Sequence, residues 1–344
     1  MSDFAERLIH WQKQHGRHDL PWQQTRDAYR IWLSEIMLQQ TQVSTVIPYY
    51  LRFLERFPDI VTLAATRQQE VLAYWAGLGY YARARNLHRC AQEIVARHAG
   101  RFPETAAQIN ELPGIGRSTA AAISAFAFGQ RQAILDGNVK RVLTRCFGIE
   151  GFPGKASVER ELWALAETLL PANDIETYTQ GIMDLGASIC TRGQPRCSAC
   201  PMQGMCVARQ EGRQGSLPTA RPRKPVPERI SVVSIFTDGH HVLLERRPQT
   251  GIWGGLLALP EGTPEMLASA WGLPSGSTVA LPELQHSFTH FRLTLRPQLC
   301  RIAHAPTCCE GSLEWLPLAT IGQAALPAPI RKLLTSPALA APDT

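Results

Sequence analysis

The sequence predicts a two-domain protein: an all-helical domain followed by a smaller α+β domain. Three observations carry this expectation. Apolar residues recur at helical spacing through residues 1–210. A basic, proline-rich stretch occupies 211–228. Beyond it, over 229–344, apolar residues alternate with polar ones, as they do along strands.

The chain of 344 residues has room for two domains of ordinary size. With 44% hydrophobic and 19% charged residues it is globular rather than disordered. The net charge of +6 suits a polyanionic partner, but a mildly basic solvated surface has the same signature. Met1 to Gln14 carries Asp3, Glu6, Arg7 and Lys13 among its apolar residues, so it reads as an amphipathic helix rather than a signal peptide. The most apolar stretch, Thr119 to Phe128, is too short to span a bilayer. The expectation is a cytoplasmic protein with no membrane partner. In a reducing compartment its nine cysteines serve as thiols or metal ligands rather than disulfides.

In the helical domain, Tyr29, Trp32, Leu33 and Ile36 stand at i, i+3, i+4 and i+7, and Pro48 is expected to end or bend that helix. Further helices are predicted at Gln68 to Trp75, Arg83 to His98, Ala106 to Leu112, Ser118 to Phe128, Val139 to Cys146 and Ser157 to Leu170. One more leads into a cluster of cysteines. The stretch from Glu211 to Arg229 holds Gly212, Gly215, Pro218, Pro222, Pro225 and Pro227 with Arg213, Arg221, Arg223 and Lys224, and is expected to be extended. Val232 to Phe236 and Val242 to Leu244 then flank Asp238-Gly239, a hairpin turn signal. Phe291, Leu293 and Leu295 alternate with Arg292, Thr294 and Arg296, which turns one face inward. A helix is expected from Ala324 to Leu334.

Four segments carry chemistry. Cys190, Cys197, Cys200 and Cys206 form C-x6-C-x2-C-x5-C, and four thiolates this close suit one metal site. Ligand type alone serves zinc and iron–sulfur equally. The same loop carries Arg192 and Arg196, suited to phosphates. Leu112-Pro113-Gly114-Ile115-Gly116-Arg117 lies between two predicted helices. Its glycines permit a tight turn that leaves backbone N–H groups open to an anion, although many such turns only join helices. Between Trp32 and Val43, Glu35, Gln39 and Gln42 fall at i, i+4 and i+7; amides there suit base edges, or simply a polar helix face. Asp136 precedes a helix, as an N-cap, a cleft carboxylate or both.

Together these segments resemble the MutY family of adenine-excising glycosylases, within the endonuclease III or helix–hairpin–helix superfamily. The resemblance implies a 4Fe–4S cluster on the four cysteines. It implies a monomeric enzyme acting on duplex DNA with adenine opposite 8-oxoguanine or guanine. Glu35 would be the general acid that protonates adenine, and Asp136 would face the oxocarbenium-like sugar, with Asn138 beside them. Trp22 and Leu38 would line the base pocket. Gln39, Gln40, Thr41, Leu78, Tyr80, Gly114, Gly116, Ser118 and Lys140 would contact DNA, with Gln40 entering the base stack and Tyr80 wedging beside the oxidised guanine. Bifunctional members carry a lysine where Ser118 stands, and serine forms no imine, so strand cleavage is not expected.

Leu244 to Pro248 and Gly251 to Gly262 resemble the entry to a Nudix fold. Nudix pyrophosphatases hold Mg²⁺ on several glutamates of the following helix; from Thr263 to Trp271 only Glu265 is acidic, which speaks against hydrolysis. The resemblance implies instead a lesion-recognition domain, with Phe288-Thr289-His290 as its reading turn and threonine where serine is common. Cys300, Cys308 and Cys309 show no ligand pattern. The rival readings are a thymine-mismatch or bifunctional sister enzyme, a non-catalytic damage sensor and a nucleotide pyrophosphatase.

Overall fold

A computed structural model describes residues 2–222, 225–274, 276–305, 311–336 and 339. Arg223, Lys224, Cys308 and Cys309 lie outside the described residues. The chain forms two compact units, Met1–Ala65 with Asn86–Arg223 and Thr66–Arg85 with Lys224–Thr344.

The first unit is helical. It comprises α1 (Asp3–His15), α2 (Ala28–Leu38), α3 (Val43–Arg56) and α4 (Ile60–Ala65). From the chain segment α5 (Gln68–Trp75) and α6 (Ala82–His98), most of α6 belongs to it. Then come α7 (Ala106–Asn110), α8 (Arg117–Phe128), α9 (Gly137–Phe147), α10 (Ala156–Thr168), α11 (Ile175–Asp184) and α12 (Val207–Gln210). The caps account for several starts. Ser2 caps α1, Asp27 caps α2 and Asp136 caps α9, each accepting from backbone N–H groups of the first turn. Gly129 and Gly148, both left-handed, close α8 and α9. α1 buries Phe4, Leu8, Ile9 and Trp11 and packs on α11. The alanines of α8 have little bulk, which lets α2 and α7 approach it closely.

Two expectations fail around Gln39 to Pro48. α2 ends at Leu38, well before Pro48, because Gln40 takes a left-handed φ of 58° and the chain turns. Glu35, Gln39 and Gln42 therefore do not share one helical stripe: Gln39 follows the last turn of α2, and Gln42 is the N-cap of α3. Pro48 lies inside α3, which continues past it because Val46, Tyr50 and Phe53 are buried on one face. The expected linker differs too. Its first part is not extended: Leu217 is buried in the helical core, and Arg145 donates to its carbonyl at 2.8 Å.

The second unit is built on a sheet of β1 (Glu228–Thr237), β2 (His241–Arg246), β3 (Leu257–Ala258), β4 (Ser277–Ala280), β5 (Leu284–Ser287), β6 (Arg292–Arg301) and β7 (Leu313–Pro317). The order is β3-β2-β1-β6-β4, with β7 also on β2 and β5 also on β6. β1 and β6 run parallel from Glu228↔Arg292 to Thr237↔Arg301. β1 and β2 form the hairpin read at Asp238-Gly239. Phe291, Leu293 and Leu295 face inward with Val233, Ile235, Val242 and Leu244. α13 (Pro264–Trp271) and α14 (Ala328–Leu334) complete the unit. α14 starts later than Ala324 because Pro327 biases Leu326 away from helix and is itself the extended N-cap.

From sequence, residues 66–85 group with the helical domain; their packing is with the sheet. Arg85 donates to the Gly254 carbonyl at 2.6 Å and Tyr81 to the Leu326 carbonyl at 3.5 Å.

Candidate functional site

Two cavities of the helical unit share Glu35. One, of about 770 Å³, is lined by Trp22, Leu38, Arg26, Gln180 and Met183 among others. The other, of about 990 Å³, is lined by Gln39 to Ser44, Ser118, Asp136, Asn138 and Arg141. Arg17, Leu38, Val43 and Met183 also border both. Glu35 keeps some exposure through these cavities, yet protein surrounds its carboxyl. Desolvation first, and the Asp136 charge second, push it up to about 8. Trp22, 8% exposed, supplies part of that surrounding, whereas Tyr29 does not; its hydroxyl points away to the Phe57 carbonyl at 2.7 Å.

Asp136 is placed by capping. Its Oδ1 accepts from the N–H groups of Asn138 at 2.9 Å and Val139 at 2.8 Å, so cap and cleft carboxylate are one group. Burial raises its carboxyl above the usual aspartate range, and those two N–H groups, then Arg141 and Lys140, pull it back. Ser118, in the first turn of α8, accepts the N–H of Leu135 at 2.9 Å and so pins the segment leading into Asp136. Arg141 donates to the Asn138 side chain at 2.7 Å and to the carbonyls of Gly186 and Cys190 at 2.8 and 2.7 Å. Lys140 lines neither cavity and pairs with Glu159 at 2.6 Å.

The turn between α7 and α8 puts Gly114 at φ 79° and leaves Gly116 as an N-cap with no side-chain bond, so the N-terminus of α8 is open. A side chain at Gly114 would strike Asn86. Gln40 is exposed, and Thr41 bonds back to the Gln39 carbonyl. In the other unit, Tyr80 is 44% exposed with φ 49°, whereas Leu78 is buried. The Arg83 guanidinium lies 5.5 Å from the Tyr80 ring centre. In the turn before β6, Phe288 is half-buried and stacks on Phe291 at 4.5 Å, while Thr289 and His290 are exposed. Glu265 is the acidic residue in the first turn of α13.

Cys190, Cys197, Cys200 and Cys206 line one cavity with Val142, Leu185 and Ile189. Cys190 follows a π-turn, Leu185–Ile189, that ends the helix α11. Arg145, 3% exposed, donates to Cys190 Sγ at 3.4 Å and to the carbonyls of Thr191 and Arg192. Among the described residues no three His, Cys, Asp or Glu side chains are arranged to hold a single ion.

Sequence reasoning missed Arg17 and Gln180. Both donate to the buried Asp184 carboxylate, at 2.7 and 2.8 Å, and both line the first cavity. Arg17 sits in a loop with no local pattern to mark it.

Residues 33–168 match the HhH-GPD superfamily of base excision DNA repair proteins, and residues 231–336 match the NUDIX domain family. The adenine DNA glycosylase of Buchnera aphidicola from Acyrthosiphon pisum is 36% identical over 337 residues, covering 96% of each chain. That of Homo sapiens is 35% identical, covering 86% of this chain and 66% of its own. A solved thermostable thymine-DNA glycosylase superposes with a TM-score of 0.55 at 31% identity, over 60% of this chain and 95% of that one. The chain belongs to the adenine DNA glycosylase family and is a DNA glycosylase of base excision repair.

Proposed function

We propose that the protein hydrolyses the N-glycosidic bond of adenine mispaired with 8-oxoguanine or guanine in duplex DNA, as a monofunctional, monomeric enzyme. The observation that carries this reading is the pair of unlike carboxylates. Glu35, lifted to about 8, is protonated at neutral pH and can donate to adenine. Asp136, tied to two N–H groups and two nearby cations, is the one to stay ionised and oppose positive charge on the sugar. Adenine would occupy the cavity beside Trp22 and Leu38, with Asn138 holding the sugar side of the cleft. The open start of α8, with Gly114 and Gly116, takes phosphate. Gln39, Gln40, Thr41 and Lys140 complete the DNA face of this unit.

Gln40 and Tyr80 would enter the stack as adenine leaves it; both hold left-handed backbones at exposed turns, strain of the kind found at functional sites. Leu78, being buried, supports the Tyr80 loop from beneath. Thr289, exposed between Phe288 and His290, can accept from the N7–H that distinguishes 8-oxoguanine from guanine. In chain order the catalytic, connecting and lesion-reading parts occupy 1–210, 211–228 and 229–344, except that residues 66–85 go with the lesion-reading part.

The four cysteines would hold a 4Fe–4S cluster. Their spacing, their shared cavity and the buried Arg145 that donates to Cys190 Sγ support it. A cluster held by these cysteines would pin the loop of Arg192 and Arg196.

The test is a duplex with adenine opposite 8-oxoguanine, analysed with and without hot alkali. Cleavage only after alkali is expected. Cleavage without alkali would show lyase activity despite Ser118, and an intact strand in both would remove adenine excision.

A further inference from the structure

Trp253 sits between β2 and β3 with a left-handed φ of 56°, a conformation that bulky residues seldom adopt. Its neighbours hold it there. The Gly255 N–H is shared between the carbonyls of Arg247 and Pro248 at 3.3 and 3.1 Å, and the Leu256 N–H donates to the Trp253 carbonyl at 3.0 Å. At Gly254 any side chain would run into the Gln249 carbonyl, so the turn has little freedom.

That backbone places the indole against the turn of residues 288–290. Its ring centre lies 5.9 Å from Phe288 and 6.2 Å from His286. Phe288 is then enclosed, with His286 edge-on at 4.7 Å and Phe291 stacked at 4.5 Å. Across the turn the Phe288 N–H donates to the Phe291 carbonyl at 2.9 Å, beside the strand pairing of Ser287 with Arg292 that closes the hairpin. Thr289 and His290 themselves project into solvent. Reading a single N–H on a base needs a hydroxyl placed to within a fraction of an ångström, and closing the hairpin through its backbone does not by itself fix the side chains at its tip.

The same turn is held from a second direction. Arg85 donates to the Gly254 carbonyl at 2.6 Å. Arg85 belongs to the same compact unit and lies five residues after Tyr80.

We propose that Trp253 is a positioning residue for the 288–290 turn and that Arg85 extends its restraint to the Tyr80 loop, making one reader of two distant segments. The inference rests on the lesion reading proposed above for Tyr80 and Phe288 to His290. Trp253 itself acts through Phe288.

Single-turnover excision of adenine opposite 8-oxoguanine and opposite guanine tests this, with enzyme titrated through saturation. Trp253→Ala should lower the preference for 8-oxoguanine about tenfold, through weaker binding of that substrate. Its saturated rate on the guanine mispair should be unchanged. Trp253→Phe should keep most of the preference, since a ring still meets Phe288. Arg85→Met, which keeps the stem and loses the donor, should lower the preference in the same direction and serves where Trp253→Ala does not fold. If the unmodified protein shows no preference, lesion reading itself falls. If it does, and Trp253→Ala or Arg85→Met retains it in full, the positioning role is overturned while lesion reading stands.

Discussion

Arg141 joins Asn138 to Cys190. Its guanidinium donates to the Asn138 side-chain oxygen at 2.7 Å through Nη2 and to the Cys190 carbonyl at 2.7 Å through Nε. The first turn of α9, which also carries Asp136, is thereby tied to the loop that holds the four cysteines. Whatever orders that loop orders the carboxylate side of the cleft.

Replacing Arg141 by Gln should therefore slow excision by about 10- to 100-fold, the usual cost of losing a group that orients another. Iron content, measured alongside single-turnover rates, should stay near that of the unmodified protein, because Arg141 meets a carbonyl and not a sulfur. A parallel loss of iron would mean that the effect runs through the cysteine loop rather than through Asn138.

Gly186 makes this junction possible. A Cβ there would lie 2.6 Å from the Asn138 Cβ and 3.2 Å from its backbone. Gly186→Ala should push α9 away from the π-turn. Overpacking of this kind costs about 1–3 kcal/mol, visible in denaturant unfolding. Excision should fall with it, since Asn138 and Asp136 share the displaced turn. Unchanged stability and rate would show that the two segments separate freely.

Much of this architecture was legible from residue patterns, and the failures have physical causes. α5 announces itself because Val71, Leu72 and Trp75 fall on one face, and α8 because an alanine-rich run stands between Gly116 and Gly129. The turn at Gln39 to Gln42 did not, because its polar residues fit a helical stripe by period, and only the left-handed backbone of Gln40 breaks it. The tie from Arg141 to Cys190 ends on a carbonyl, and every residue has one, so identity leaves no trace. The packing of residues 66–85 on the sheet unit joins segments far apart in the chain, which local periodicity does not report. The carboxylates and cysteines stood out because their chemistry depends on side-chain type.

Asp136 caps α9, and the proposed mechanism gives it a second task that substitution can separate from the first. Asn caps helices about as well as Asp, so Asp136→Asn should keep the bonds from the Asn138 and Val139 N–H groups and leave stability within about 1 kcal/mol. It removes the negative charge, and excision should be lost. Asp136→Ala should lose excision and also about 1 kcal/mol of stability with the cap. Thermal unfolding of both variants beside their excision rates checks this; appreciable excision by Asp136→Asn would show that the charge is not required.

With Glu35 as the proposed acid, its carboxyl is expected to set the dependence on pH. Its carboxyl rises from 4.5 to about 8, so it is protonated and able to donate through neutral pH. Excision should decline as pH rises past about 8, falling about tenfold per unit once the acid is ionised. The acidic limb belongs to Asp136, whose raised carboxyl must lose its proton, and lies above the range of an ordinary aspartate. Stability follows the same group with a definite sign. Between the unfolded and folded values of Glu35 the native state binds more protons than the unfolded chain, so the contribution of this group is greatest below about 4.5 and declines as pH rises toward 8. Glu35→Gln has no charge to bury. It should match the unmodified protein in stability near pH 4 and exceed it near pH 9, by on the order of a few kcal/mol at most, since Glu35 keeps some exposure to the cavities. The same variant should bind the mispaired duplex and excise no adenine. Unfolding curves that stay parallel across this range would mean that the Glu35 carboxyl is hydrated in the folded protein, and its role as the acid would fall with them.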